Sequence, residues 1–215
     1  MDIIDAVFLI AVIMFSAVIH EVMHGFAADR LGDPTARYAG RLTLNPIPHL
    51  DPFGSILLPL ILALTSSLAL TSSPIFFGWA KPVPYNPFNL SRSPYWGEAI
   101  VAGAGPASNF VIALVAALVM RTGLLSPELN GVIFIIVIVN IMLGIFNLIP
   151  IPPLDGSKVL SAILPLGLRM QYDRLRAQLE YNPFLGFGIV ILFILAFGGA
   201  FGAFVYSLAR ALAGV

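Results

Sequence analysis

Long apolar runs separated by short polar connectors organise this chain. The first extends from Ile3 to Ile19 and continues without a break into His20-Glu21-Val22-Met23-His24-Gly25-Phe26-Ala27-Ala28. Four more follow. Phe53 to about Phe77 is interrupted by Pro59 and by two Thr/Ser clusters; Glu98 to Met120 begins with small residues. Gly131 to Ile149 ends in a proline cluster, and Phe184 to about Leu212 is rich in glycine. A helix needs about 20 apolar residues to cross the hydrocarbon core of a bilayer. The pattern predicts an all-α polytopic membrane protein with four to five transmembrane helices. No basic residue precedes Arg30, so the first run is not expected to be a secretory signal. No internal repeat breaks the pattern, and residues 1–215 are expected to form one integral-membrane domain without an appended sensor or peptide-binding domain.

Composition narrows the class further. The 215 residues are 59% hydrophobic and 10% charged, against roughly 45–50% and about 25% in soluble domains. Mean hydropathy is +0.95. A water-soluble globule, a disordered chain and a basic nucleic-acid binder are all excluded, and no nucleic-acid partner is expected. Cysteine is absent, so disulfides, iron–sulfur clusters and thiolate zinc sites are impossible. Arg30, Arg37 and Arg41 lie in the connector 29–52, and Lys158, Arg169, Arg174 and Arg176 in the connector 150–183; the short connector 121–130 has only Arg121. The positive-inside rule places the two basic connectors in the cytoplasm and the N-terminus outside. The expected location is the cell membrane, as a multi-pass protein in contact with the lipid bilayer.

One motif carries chemistry. His20-Glu21-Val22-Met23-His24 is the pattern H-E-x-x-H. On a helix, residues i and i+4 share a face, so both imidazoles can ligate one Zn²⁺. Glu21, beside the first ligand, can serve as general base on the attacking water. Two of the three histidines of the chain fall in this pattern, and ionisable groups at a membrane span cost roughly 2.5–3.5 kcal/mol on insertion scales. A catalytic zinc site takes three protein ligands. On residue types alone the third is His49 or Asp51, in the first connector, or Asp155, in Asn147-Leu148-Ile149-Pro150-Ile151-Pro152-Pro153-Leu154-Asp155-Gly156. The prolines there must break the fourth run, leaving Asp155 on unwound backbone; Asp155-Gly156 also reads as a turn and helix cap.

These motifs, together with Gly40-Arg41-x-Thr43-Leu44-Asn45-Pro46-x-x-His49-x-Asp51, Gly78-Trp79-Ala80-Lys81-Pro82-Val83-Pro84 and Ala104-Gly105-Pro106-x-x-Asn109, make the chain resemble the site-2 protease family of intramembrane zinc metalloproteases in its compact form. The resemblance covers most of the chain. It implies that His20, His24 and Asp155 hold one zinc ion, that Glu21 is the base, and that Asn147 faces the substrate carbonyl. It implies hydrolysis of peptide bonds in or near transmembrane segments of membrane-protein substrates, the substrate helix being locally unwound. His49 and Asp51 belong to a motif of the compact subgroup and are expected near the site, without an assigned role.

The resemblance also sets a parity condition. If His20 and His24 lie toward the cytoplasmic end of the first helix, the run ending at Asp155 must also finish on that side. The segment 53–77 is then expected to be re-entrant or kinked, although five ordinary spans fit the hydropathy too. Asn140, Gly144 and Asn147 share a helical face; Asn140 suits helix–helix glue. Asn109 with Gly103, Gly105 and Pro106 is expected to allow close helix packing. The stretches 43–48 and 78–84 are expected as short strands or loops at the cavity mouth, where an unwound substrate adds as a strand. The rival reading is a metal transporter or other non-proteolytic metal-binding membrane protein. The near absence of acidic residues and histidine from the third and fifth runs speaks against transport.

Overall fold

The structure, a computed structural model, describes residues 3–51 and 80–215. Among these, every regular element is helical. The described α-helices are α1 (Ile3–Arg30), α2 (Thr35–Tyr38), α3 (Gly97–Arg121), α4 (Pro127–Asn147), α5 (Asp155–Ile163), α6 (Leu166–Tyr181) and α7 (Pro183–Ala213), with 3₁₀ turns at Ile47–His49 and Pro87–Asn89. Four are long and apolar enough to cross a membrane: Val7–Arg30, Gly97–Arg121, Pro127–Asn147 and Phe184–Ala213. The protein is thus an all-α, multi-pass membrane protein. The expectation for 53–77, re-entrant or spanning, concerns residues outside the described ones, as does the Gly78-Trp79 part of the motif that ends at Pro84.

Helix α3 is the hub, packing on α1, α4, α5 and α7. Ala113 and Ala117 of α3 are fully buried against Val137 and Ile141 of α4 and Val205 and Ala209 of α7. Small side chains let backbones approach where lipid gives no hydrophobic drive for helices to associate. Helix α3 runs antiparallel to α1: His24 meets Val101 whereas His20, one turn earlier, meets Asn109. Helix α4 runs parallel to α1, with Ser16 against Asn140. Leu31, just past α1, accepts a hydrogen bond from the N–H of Arg92, just before α3. The long connector therefore leaves and returns at the same end of the bundle.

Two local features build that end. The proline-rich stretch stops α4 at Asn147, and the chain turns through 148–154 into α5. Gly156 lets α5 lie against the broken end of α4; a Cβ there would stand 2.1 Å from the Leu148 carbonyl oxygen and 2.6 Å from that of Ile149. The α5–α6 hairpin is held by Ser161 Oγ donating to Asp173 Oδ1 (2.6 Å) and is tied to the start of α3 by Arg176–Glu98 (3.0 Å). Below α1, fully buried Asp33 accepts from the N–H and hydroxyl of Thr35, the N–H of Asn86 and the amide of Asn89. That carboxylate joins the turn after α1 to the 86–89 turn.

The segments expected as strands or loops near the mouth are loops. No strand forms among the described residues 43–48 and 80–84. Pro46, Pro48, Pro82 and Pro84 have no N–H to give to a ladder, and Arg41 Nη2 occupies the carbonyls of Lys81 (2.7 Å) and Pro82 (3.3 Å).

Candidate metal centre

The helical repeat stacks His20 and His24 on one face of α1, their rings edge to face with centroids 4.6 Å apart. Both are buried, at 6% and 7% exposure. Asp155, at the first turn of α5, brings Oδ2 to 3.1 Å from His20 Nε2 and 3.2 Å from His24 Nε2. One ligand atom each of His20, Glu21 and His24 also falls within 4.8 Å of the others.

The far sides of both rings are engaged. His24 Nδ1 lies 2.7 Å from the Val101 carbonyl oxygen, which can only accept, so this nitrogen carries the proton. His20 Nδ1 lies 2.6 Å from Asn109 Oδ1; the Asn109 amide donates to Asn140 Oδ1 (2.9 Å), and the Asn140 amide donates to Ser16 Oγ (3.0 Å). This chain fixes the Asn109 oxygen toward His20. Both Nε2 lone pairs consequently face Asp155. Two imidazole lone pairs and an ionised carboxylate converging without a donor between them form a cradle for a cation. The donor set, two nitrogens and one oxygen, suits zinc with one position left for water. Gly105 leaves the space in front of them open: a Cβ there would stand 2.5 Å from His24 Nε2 and 2.6 Å from His20 Nε2.

Glu21 faces the same cavity, and its Oε2 accepts the N–H of Val83 at 2.9 Å. The walls also include Pro82, Tyr85, Val101, Ala102, Asn147, Leu154 and Lys158. Asn147 thus lies at the cavity, with one amide hydrogen given to the Leu143 carbonyl of its own helix (2.9 Å). His49 is elsewhere: buried, its Nε2 lies 2.9 Å from the Thr43 carbonyl and its own carbonyl accepts from Lys81 N at 2.8 Å. It braces the loop leading to Val83, and neither it nor Asp51 lines the cavity. Among the three candidates for third ligand, Asp155 is the one the fold brings to the histidines.

Residue patterns alone missed three participants. Asn109 does sit in a closely packed helix, yet it also orients His20; the signal was a lone amide in an apolar span. Val101 acts through its carbonyl, which no side-chain pattern reveals. Arg41 acts at a distance, through the carbonyls of residues 81 and 82.

The model of peptidase family M50 matches residues 124–195. "Putative zinc metalloprotease YwhC" of Bacillus subtilis (strain 168) is 33% identical over 200 residues, covering 89% of this chain and 82% of that protein. The chain belongs to peptidase family M50. A second relative, "Putative zinc metalloprotease Rip2" of Mycobacterium tuberculosis (strain ATCC 25618 / H37Rv), is 26% identical over 88% of this chain and 66% of its own length. "Zinc metalloprotease MJ0392" of Methanocaldococcus jannaschii is 36% identical over a shorter stretch, 35% of this chain and 22% of its own length. No solved structure matches the chain. This M50 protein is a membrane zinc metalloprotease of the site-2 type, and the cradle described above is of the kind such an enzyme requires.

Proposed function

We propose that this M50 protein hydrolyses peptide bonds in or beside locally unwound transmembrane segments of membrane-protein substrates, acting as one integral-membrane domain in the cell membrane. In this reading His20, His24 and Asp155 are the metal ligands, Glu21 is the general base and Asn147 is a donor to the scissile carbonyl. One observation carries it: His20 Nε2 and His24 Nε2 both lie within 3.2 Å of Asp155 Oδ2, next to Glu21.

A zinc ion held by His20, His24 and Asp155 would supply Lewis-acid polarisation of the carbonyl and acidify water toward a pKa of about 7. Glu21, one oxygen fixed by Val83, uses the other to take the proton of the attacking water and then passes it to the leaving amine. The second Asn147 amide hydrogen is offered to the carbonyl oxygen as it gains charge, a role whose removal costs about 10²–10³ in kcat. A peptide carbonyl locked in an i→i−4 bond cannot enter such a geometry, so the substrate helix must open locally. The same reading sets the active site toward the cytoplasm, and what supports it is the positive-inside rule applied to Arg30, Arg37, Arg41 and the basic residues of α5 and α6, which follow or flank the elements that carry the cradle. Within the span Val7–Arg30, His20 lies 13 residues along, about 20 Å at 1.5 Å per residue, past the middle of a hydrocarbon core about 30 Å thick.

The test is metal analysis of the purified protein combined with cleavage of a panel of single-span substrates. Glu21→Gln is expected to keep zinc and lose proteolysis, and Asp155→Ala to lose both. Robust cleavage by purified Glu21→Gln would refute the assigned base.

A further inference from the structure

An unwound peptide brings carbonyl oxygens into a membrane-level cavity, and each must find a donor or cost several kcal/mol. The loop beside Glu21 is poorly equipped to supply one. Pro82 and Pro84 have no N–H, and that of Val83 is already given to Glu21. A strand added along residues 82–84 would find no donor in that stretch. The side-chain donors of the wall are mostly spent too. The Nδ1 protons of His20 and His24 go to Asn109 and Val101, and one Asn147 hydrogen goes to Leu143.

Two wall residues with donors stay outside the mechanism described above. Lys158, one turn after Asp155 on α5, has its Nζ 5.4 Å from the centroid of the Tyr85 ring, and both residues line the cavity. Tyr85 steadies the ammonium by a cation–π contact and through its hydroxyl, a hydrogen-bond partner of Lys158, which leaves the remaining ammonium hydrogens for a further acceptor in the cavity. Helix α5 carries Asp155 and Lys158 three residues apart, on the same face. The element that supplies the oxygen ligand therefore also presents a cation beside it.

We infer that Lys158, steadied by Tyr85, binds a backbone carbonyl of the unwound substrate and so positions the scissile bond in front of the metal cradle. This rests on the substrate reading above and names the enzyme group that replaces the hydrogen bond the substrate helix gives up. The ligand chemistry is a peptide carbonyl, neutral and common to all sequences, so the contact sets register rather than side-chain preference.

The test separates binding from chemistry. In detergent, binding of a labelled peptide with one apolar span and a central Gly-Pro break is measured on Glu21→Gln with and without Lys158→Met; cleavage is measured on Lys158→Met and Lys158→Arg in the otherwise native protein. Lys158→Met is expected to weaken binding and raise KM by about 10- to 100-fold, the worth of a hydrogen bond from a charged donor, with zinc content unchanged. Lys158→Arg is expected to recover most of the loss, and Tyr85→Phe, which keeps the ring face but removes the hydroxyl partner of Lys158, to weaken binding by less than Lys158→Met does. Binding within twofold of the parent overturns the inference, as does parallel loss of zinc and cooperative unfolding in both Lys158 variants. Failure of the native protein to cleave any substrate would count against the proteolytic reading instead, while the binding comparison would still decide this one.

Discussion

The backbone N–H of Val83 donates to Glu21 Oε2 at 2.9 Å. The bond ties the proposed base to a loop more than 60 residues away, and Arg41 holds that loop by gripping the carbonyls of the two residues before Val83. Gly25 makes the approach possible, since a Cβ there would stand 2.7 Å from Val83 Cγ1.

Arg41→Met should therefore lower kcat by about 10- to 100-fold, the usual cost of losing an outer-shell partner. Zinc content should be retained, as Arg41 touches no ligand. Val83→Pro, which deletes the N–H itself, should do the same. Steady-state cleavage alongside metal analysis checks both variants, and a double-mutant cycle with Glu21→Asp should show strong coupling.

Asn109→Leu removes the acceptor that holds the proton on His20 Nδ1. Zinc affinity is expected to fall by about 10- to 100-fold, read by competition with a chromogenic chelator. Asn140→Ala, one bond further along the chain, should show a smaller loss.

Gly105→Ala places a methyl group where the cradle opens. The variant should fold, because the helix gains a better helix former, yet fail to retain zinc. Gly103→Ala is the control: a Cβ there meets nothing within 4 Å, and metal binding should be unchanged.

Asp33 gives an acid-sensitive contribution to stability. Burial pushes its carboxyl up, but hydrogen bonds from Thr35, Asn89 and Asn86 outweigh it and hold it below the ordinary value. With the folded pKa depressed, the stabilisation is fully present above the unfolded value of about 3.9 and is lost as pH falls through the folded one. Asp33→Asn should lower stability at pH 7 by about 2 kcal/mol, the scale of hydrogen bonds to a charged group. Its gap to the native protein should stay constant down to about pH 4 and narrow below, as measured by denaturation in detergent.

The four crossings and the zinc motif are legible in the sequence because each rests on a local period: about 20 apolar residues for a span, four residues for the histidine pair. Asp155 is legible only in part. The prolines announce a broken helix, but what the break faces depends on α4 lying parallel to α1, which no spacing encodes. Asn109 is legible for half its role: an amide in a span serves helix packing and ring orientation alike, and only the neighbour in space distinguishes them. His49 shows the converse. Its residue type suits a metal, yet the loop turns its ring to the Thr43 carbonyl. Of the stretch 78–84, expected as a strand or loop to which a substrate adds, residues 82–84 form a loop whose one N–H, that of Val83, is committed to Glu21.

Two of the three proposed ligands ride on a helix whose orientation is locked through Asn109 and Asn140 to two others, whereas the third arrives from the far side of a chain break pinned by Gly156. Separating α1 from α3, α4 or α5 would pull the atoms of the cradle apart. Under the proposed reading, room for a substrate segment would then have to come from elements outside these four, leaving entry and metal binding to different parts of the molecule.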